Sequence, residues 1–99
     1  MPSSPPTSEH VPSTETLARG REVQLIINIA EPDPELQPFV LTDAASLLDA
    51  VPTPPIEIVR RLDAYFRADL ELNLALPLWR LVDVIKRLRP GWPDNLAPN

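Results

Sequence analysis

The run from Ile56 to Leu88 constrains the fold more than any other part of the chain. It contains two stretches of helical apolar periodicity, joined by the alternating segment 69–76. Pro77 stands where the second helix would begin and Pro90 stands just beyond its end, positions at which proline is well tolerated. The sequence therefore predicts a helical hairpin. Two amphipathic helices in a chain of 99 residues need a further apolar surface to cover them, so the run indicates association rather than catalysis.

The apolar spacing of each helix defines a face that must be buried. Between the helices, the alternating leucines of 70–76 fit either a short strand or an extended connection that places leucines in the core, and we favour the connection. The first helix is predicted from Pro54 to about Ala68 with Thr53 as its N-cap, and its stripe comprises Ile58, Val59, Leu62, Tyr65 and Phe66. The last helix is predicted from Pro77 to Arg89, with a stripe of Leu78, Leu81, Val82, Ile85 and Leu88 that Trp79 and Val84 widen.

The part of the chain before these helices is predicted to contain a β-hairpin. From Val23 to Ile29, apolar side chains alternate with mostly polar ones, which is typical of a half-buried strand. Residues 31–38 include three prolines and predict a loop, after which Phe39 to Leu41 form the second strand. A short helix from Asp43 to Ala50 follows, with Thr42 as its N-cap.

These elements predict an α+β fold class, in which a short N-terminal β-hairpin precedes three helices and the termini are disordered. Residues 1–20 are rich in proline, serine and threonine and have few bulky apolar side chains, so we expect a disordered tail. Residues 21–90 are predicted to form a single small domain, and 91–99 a flexible tail.

Composition argues against most kinds of chemistry. The chain has no cysteine and two glycines, so neither thiolate chemistry nor a glycine-rich phosphate loop is expected. The one histidine, His10, lies in the predicted tail, where nothing would hold it as a base or ligand. Glu31, Asp33 and Glu35 lack the glycine and the terminal bidentate acid of a calcium loop. We therefore predict a protein that is not an enzyme, with no catalytic, cofactor-binding or metal site.

Charge and hydropathy narrow the expected partners. The formal net charge is −5, whereas nucleic-acid binding draws most of its affinity from a basic surface, so no nucleic-acid partner is expected. No run approaches the roughly 20 apolar residues of a membrane span, and no secretory signal is recognised, so we expect a cytoplasmic protein without membrane contact.

Charge is also distributed unevenly along the chain. From Glu31 to Glu57 there are six acidic residues and no basic one, whereas the last helix has Asp83 as its one acid and ends in a basic cluster. One interpretation is that this polarity serves docking, because complementary potentials accelerate association. The alternative is that both regions are ordinary solvated surfaces. The basic residues of the last helix are Arg80, Lys86, Arg87 and Arg89.

Several segments, in order, carry a resemblance to a known family. They are Ile29-Ala30-Glu31-Pro32, Phe39-Val40-Leu41-Thr42-Asp43-Ala44-Ala45, Arg60-Arg61-Leu62, Arg67-Ala68-Asp69-Leu70-Glu71-Leu72-Asn73 and Leu81-Val82-Asp83-Val84-Ile85-Lys86-Arg87-Leu88. This order resembles the chaperone-modulator family, small proteins similar to MerR regulators that bind and restrain a J-domain co-chaperone. The helix-turn-helix of that family has no counterpart before Glu31. The resemblance implies a dimeric, mostly helical regulator without catalysis, with the final helix, Leu78 to Leu88, as the dimer contact.

We therefore predict a small regulator or adaptor that acts by binding another protein, for which the resemblance implies a J-domain co-chaperone. A homodimer is expected, because apolar stripes and aromatic side chains that a small core cannot cover often complete their burial across an interface. The alternatives are a degenerate MerR-type DNA-associated regulator and a structural subunit of a larger assembly. The predicted protein interface consists of Leu78, Trp79, Leu81, Val82, Ile85, Leu88 and Trp92.

Overall fold

The computed structural model describes residues 12–38 and 41–94. Within these ranges no β-strand is present, and Ser46 and Pro77 form one isolated β-bridge. The predicted α+β class with its β-hairpin is therefore wrong, and the described structure is all-α. Its helices are α1 (Thr14–Ala18), α2 (Gly20–Ala30), α3 (Leu47–Ala50), α4 (Pro55–Phe66) and α5 (Leu78–Leu88), with a 3-10 turn at Pro34–Leu36.

Helix α2 occupies the segment that was predicted to be the first strand. Val23, Ile26, Ile27 and Ala30 are its buried residues, and they recur at the spacing of one helical face. A strand would have placed Ile26 and Ile27 on opposite faces, whereas the helix buries both against one core. The predicted second strand falls partly outside the described residues, and Leu41, its last residue, is not in a strand.

The start of α3 shows how local hydrogen bonding fixes a helix boundary. The Ser46 hydroxyl accepts a hydrogen bond from the Asp49 amide at 3.3 Å, and the Asp49 carboxylate accepts one from the Ser46 amide at 3.2 Å. This reciprocal pair is a capping box, so the helix begins at Leu47 rather than at the predicted Asp43.

Helix α4 begins at Pro55, with Pro54 as its N-cap, and the predicted N-cap Thr53 does not cap it. The Thr53 hydroxyl instead donates to the Ala30 carbonyl and lies 2.9 Å from the Glu31 carboxylate. Arg61 also donates to the Ala30 carbonyl, at 2.8 Å. Because that carbonyl has no partner within α2, Thr53, from the loop before α4, and Arg61, from α4, supply the hydrogen bonds that the end of α2 lacks.

The core lies where α2 packs against α4 and α5. Trp92, which follows α5, is 2% exposed and packs near Phe66, with 6.0 Å between ring centroids. Its indole donates to the Tyr65 hydroxyl at 3.2 Å. Residue 92 lies in the segment predicted to be a flexible tail, yet it completes the core. The buried apolar residues are Val23, Ile26, Ile27, Ala30, Leu47, Val51, Ile58, Leu62, Phe66, Leu74, Leu78, Leu81, Val82, Ile85 and Trp92.

Helix α1 lies within the segment predicted to be a disordered tail. Asp43 accepts hydrogen bonds from the amides of Glu15, at 3.0 Å, and Thr16, at 2.8 Å, and from the Thr16 hydroxyl at 2.9 Å. A carboxylate from a distant loop therefore satisfies the first amides of α1. Segment 69–76 is a connection without a strand and places Leu74 in the core. In the described residues, no helix has both the length and the apolarity to cross a membrane.

Candidate protein-binding face of helix α5

The residues predicted to form the interface fall into two groups. Trp79 is half-buried and Leu88 is 41% exposed, so both remain accessible from outside. The other residues are at most 2% exposed and belong to the core of the monomer: Leu78, Leu81, Val82, Ile85 and Trp92. The apolar stripe of α5 is thus already covered by α2 and its neighbours, and it offers no surface to a partner in this fold.

A groove lies along the outer side of α5. Its volume is about 580 Å³, and its lining combines apolar side chains with basic ones. We call this surface the Trp79 face, and its residues are Leu76, Trp79, Arg80, Asp83, Val84, Lys86 and Arg87.

Trp79 is held in one orientation. Its indole N–H donates to the Asp43 carbonyl at 2.9 Å. The guanidinium groups of Arg19 and Arg80 each lie 5.0 Å from the centroid of its ring, within the range of a cation–π contact. The ring is therefore oriented before any partner arrives.

Arg19 is a fixed cation at the edge of this face. Its Nε and Nη2 atoms donate to the two carboxylate oxygens of Asp83 at 2.8 and 3.0 Å, and its Nη1 donates to the Glu15 carboxylate at 2.9 Å. Hydrogen bonds to Asp83 and then to Glu15 raise the pKa of Arg19 above its already high usual value. The bidentate pair also fixes the position of Asp83.

The remaining cations of the Trp79 face differ in their partners. Lys86 pairs with Glu22 at 2.7 Å, and its hydrogen bond lowers the pKa of the Glu22 carboxyl. Arg80 and Arg87 are exposed, and within residues 12–38 and 41–94 neither lies within salt-bridge distance of a carboxylate. These two arginines are therefore the cations of the face that are available for a ligand.

The acidic residues that were considered for a metal site do not form one. Glu31 is buried against Thr53, whereas Asp33 and Glu35 are exposed, and Asp33 accepts a hydrogen bond from the Glu35 amide at 3.0 Å. In the part of the chain that the structure describes, no group of three or more histidine, cysteine, aspartate or glutamate side chains is placed to hold a metal ion.

Sequence reasoning missed Arg19 and Asp43 as parts of the site. Arg19 meets Asp83 across 64 positions of the chain, and Asp43 meets Trp79 across 36. No local sequence pattern links such distant positions. The two contacts are therefore recognised only in the folded chain, in which α1 packs beside α5. Comparison of the chain with models of protein families, with curated proteins and with solved structures finds no match.

Proposed function

We propose that the protein is a non-enzymatic regulator or adaptor of the cytoplasm that binds another protein through the Trp79 face. The observation that carries this proposal is a half-buried tryptophan, oriented within a groove, with two exposed arginines beside it that have no ion-pair partner in the described residues. Tryptophan and arginine are the residue types most enriched among those that dominate binding energy.

The arrangement favours binding because the Trp79 side chain is already held in place before a partner binds. A side chain that must be immobilised on binding costs about 0.5–1.5 kcal/mol, and an indole held by the Asp43 carbonyl avoids much of that cost. Val84 and Leu76 add apolar lining to the same groove. A ligand with an apolar side chain flanked by carboxylates therefore matches both the groove and Arg80 and Arg87.

The alternative interface, through the apolar stripe of α5, would require the core to open. Leu81, Val82 and Ile85 are each 0% exposed. Exposing a side chain of this kind costs about 1.5–3 kcal/mol, so opening the stripe would consume a large part of the stability of a small domain. The outer face needs no such rearrangement.

The resemblance to the chaperone modulators supplies one candidate partner, a J-domain co-chaperone. The test is a titration of the chain with such a co-chaperone from the source organism, together with capture of partners from its lysate. The variant Arg80→Glu with Arg87→Glu reverses the charge of the Trp79 face. The control variant, Arg60→Glu with Arg67→Glu, changes the net charge equally on another surface, where Arg60 and Arg67 are both exposed.

The proposal expects a protein that the wild type and the control variant retain and the Trp79-face variant loses. Equal retention by all three chains would contradict a role for this face. A binding measurement with duplex DNA completes the design, because affinity at physiological salt is expected to stay in the weak non-specific range. Tight, sequence-dependent DNA binding would favour the DNA-associated alternative instead.

A further inference from the structure

The chain itself carries a segment of the kind that suits the Trp79 face. Residues 32–36 are exposed throughout and contain Asp33 and Glu35, with Leu36 49% exposed beside them. We call this segment the acidic loop. It combines two carboxylates with an aliphatic side chain on a short 3-10 turn, Pro34–Leu36.

The acidic loop is held in shape rather than left as a loose connection. Asp33 accepts a hydrogen bond from the Glu35 amide, which caps the 3-10 turn. Gln37 then fastens the end of the loop, since its side-chain amide donates to the Glu31 carbonyl at 2.7 Å and to the Asn28 side chain at 2.9 Å. A shaped loop loses less conformational entropy on docking than an unstructured one.

The loop and the Trp79 face lie at opposite ends of α2. Arg19, which contacts Trp79, is the residue before α2, and the acidic loop follows soon after its last residue, Ala30. In the described residues, neither Asp33 nor Glu35 lies within salt-bridge distance of Arg80 or Arg87. The two surfaces are therefore not paired within one molecule, and a second copy can bring them together.

We propose that the acidic loop of one molecule docks on the Trp79 face of a second copy, so that the protein associates head to tail. This inference rests on the proposed function of the Trp79 face and names the chain itself as a ligand. Asp33 and Glu35 meet Arg80 and Arg87, and Leu36 enters the groove beside Trp79 and Val84.

This mode of association has consequences that a two-fold symmetric dimer does not share. Each molecule uses its face for one neighbour and its loop for another, so dimers retain one free face and one free loop and can extend. Because the contact is largely between exposed charges, it weakens as salt is added. The partner of the proposed function would compete with a second copy for the same face.

The experiment uses sedimentation velocity on the full chain over a range of concentrations. The face variant is Arg80→Glu with Arg87→Glu, and the loop variant is Asp33→Asn with Glu35→Gln, which removes both charges of the loop without introducing a positive one. Asparagine at 33 keeps a side-chain acceptor for the Glu35 amide, so the turn is preserved. Circular dichroism checks that both variants remain helical.

We expect the wild type to associate in low salt and to dissociate as salt rises. Each variant alone should associate at least about tenfold more weakly than the wild type. The loop variant has an intact face and the face variant has an intact loop, so an equimolar mixture should form one-to-one heterodimers and nothing larger. The single-chain charge swap of Arg80→Glu with Glu35→Lys should recover part of the lost association.

Three results would overturn the inference. They are a wild type that stays monomeric at millimolar concentration in low salt, variants that still associate alone, or a mixture that forms no heterodimer. If the wild type stays monomeric but capture of a partner still depends on Arg80 and Arg87, the head-to-tail contact fails while the proposed function stands. If the mixture pairs as expected but no partner is captured, the self-association stands and the proposed adaptor role fails.

Discussion

The two sides of α5 differ in what they already contact. The inner side, with Leu81, Val82 and Ile85 each 0% exposed, is sealed against the rest of the core. On the outer side, Trp79 is oriented by its hydrogen bond to Asp43, and both Trp79 and Val84 are half-buried and line a groove. The regular apolar stripe of α5 therefore stabilises the fold of the monomer. The residues on the other side of the helix are the ones that a partner can contact.

A carboxylate placed on each side of α5 in turn should give the largest difference in unfolding free energy between the two sides. Ile85→Asp buries an unpaired carboxylate, and we expect it to cost more than about 4 kcal/mol and to unfold the chain. Leu88→Asp places the same charge on a residue that is 41% exposed, at the C-terminal end of α5 where the helix dipole disfavours it, and we expect it to cost about 1–2 kcal/mol. Urea denaturation followed by circular dichroism measures both. Similar losses from the two variants would break the comparison.

The two tryptophans extend the comparison beyond apolar stripes. Trp92→Ala removes a side chain that is 2% exposed, so we expect a loss of about 3–5 kcal/mol. Trp79→Ala removes a half-buried ring and one hydrogen bond, so a loss of about 1–2 kcal/mol is expected, together with loss of partner binding. Thermal unfolding and partner capture give the two readouts. A greater loss of stability from Trp79→Ala than from Trp92→Ala would show that Trp79, and not Trp92, is the tryptophan that stabilises the core.

Thr53 tests a buried polar contact at the C-terminal end of α2. Thr53→Val keeps the shape of the side chain but removes the hydroxyl between the Ala30 carbonyl and the Glu31 carboxylate, so we expect a loss of about 1–3 kcal/mol. Thr53→Ser keeps the hydroxyl and serves as the control. Chemical denaturation compares the unfolding free energies of the three chains. Equal stability of the valine variant and the wild type would show that the Thr53 hydroxyl does not stabilise the fold.

Acid should loosen the contacts that join α1 and α2 to the Trp79 face. Burial opposes ionisation of Asp43, but hydrogen bonds from Glu15 and Thr16 outweigh it and lower the pKa of its carboxyl. The pKa of Glu22 is also lowered, by Lys86. The folded protein therefore binds fewer protons than the unfolded chain, whose Asp and Glu titrate near 3.9 and 4.3. Stability is retained at pH 7 and is lost as pH falls below about 4 through the folded-state pKa values.

Asp43→Asn isolates the largest set of these contacts. It removes the titrating carboxylate, so melting temperature should fall less steeply between pH 5 and pH 3, on the order of a few degrees less than in the wild type. Asp49→Asn, at the α3 capping box, is a control at a second carboxylate. A wild-type melting temperature that rises with acid would contradict the sign of the expected dependence.

The sequence predicted α4 and α5 to within about two residues, because apolar spacing and flanking prolines agree there. Helix α2 was assigned as a strand because Val23 to Ile29 fits both an alternating and a helical period. Helix α1 was missed because its first amides bond to Asp43, which no local pattern indicates. The Trp79 face was found only in part, since its orientation depends on Arg19 and Asp43 from other elements.

The division of α5 can be tested directly because the chain has no cysteine, so any introduced thiol is unique. Val82 is 0% exposed and Val84 lines the groove, and a change of valine to cysteine makes a matched pair. The measurement is the rate at which each thiol reacts with an aromatic disulfide reagent in the native protein and in urea. We expect Val84→Cys to react at least about a hundredfold faster than Val82→Cys when the protein is folded and at an equal rate when it is unfolded. Equal rates in the folded state, or faster reaction at residue 82, would contradict it.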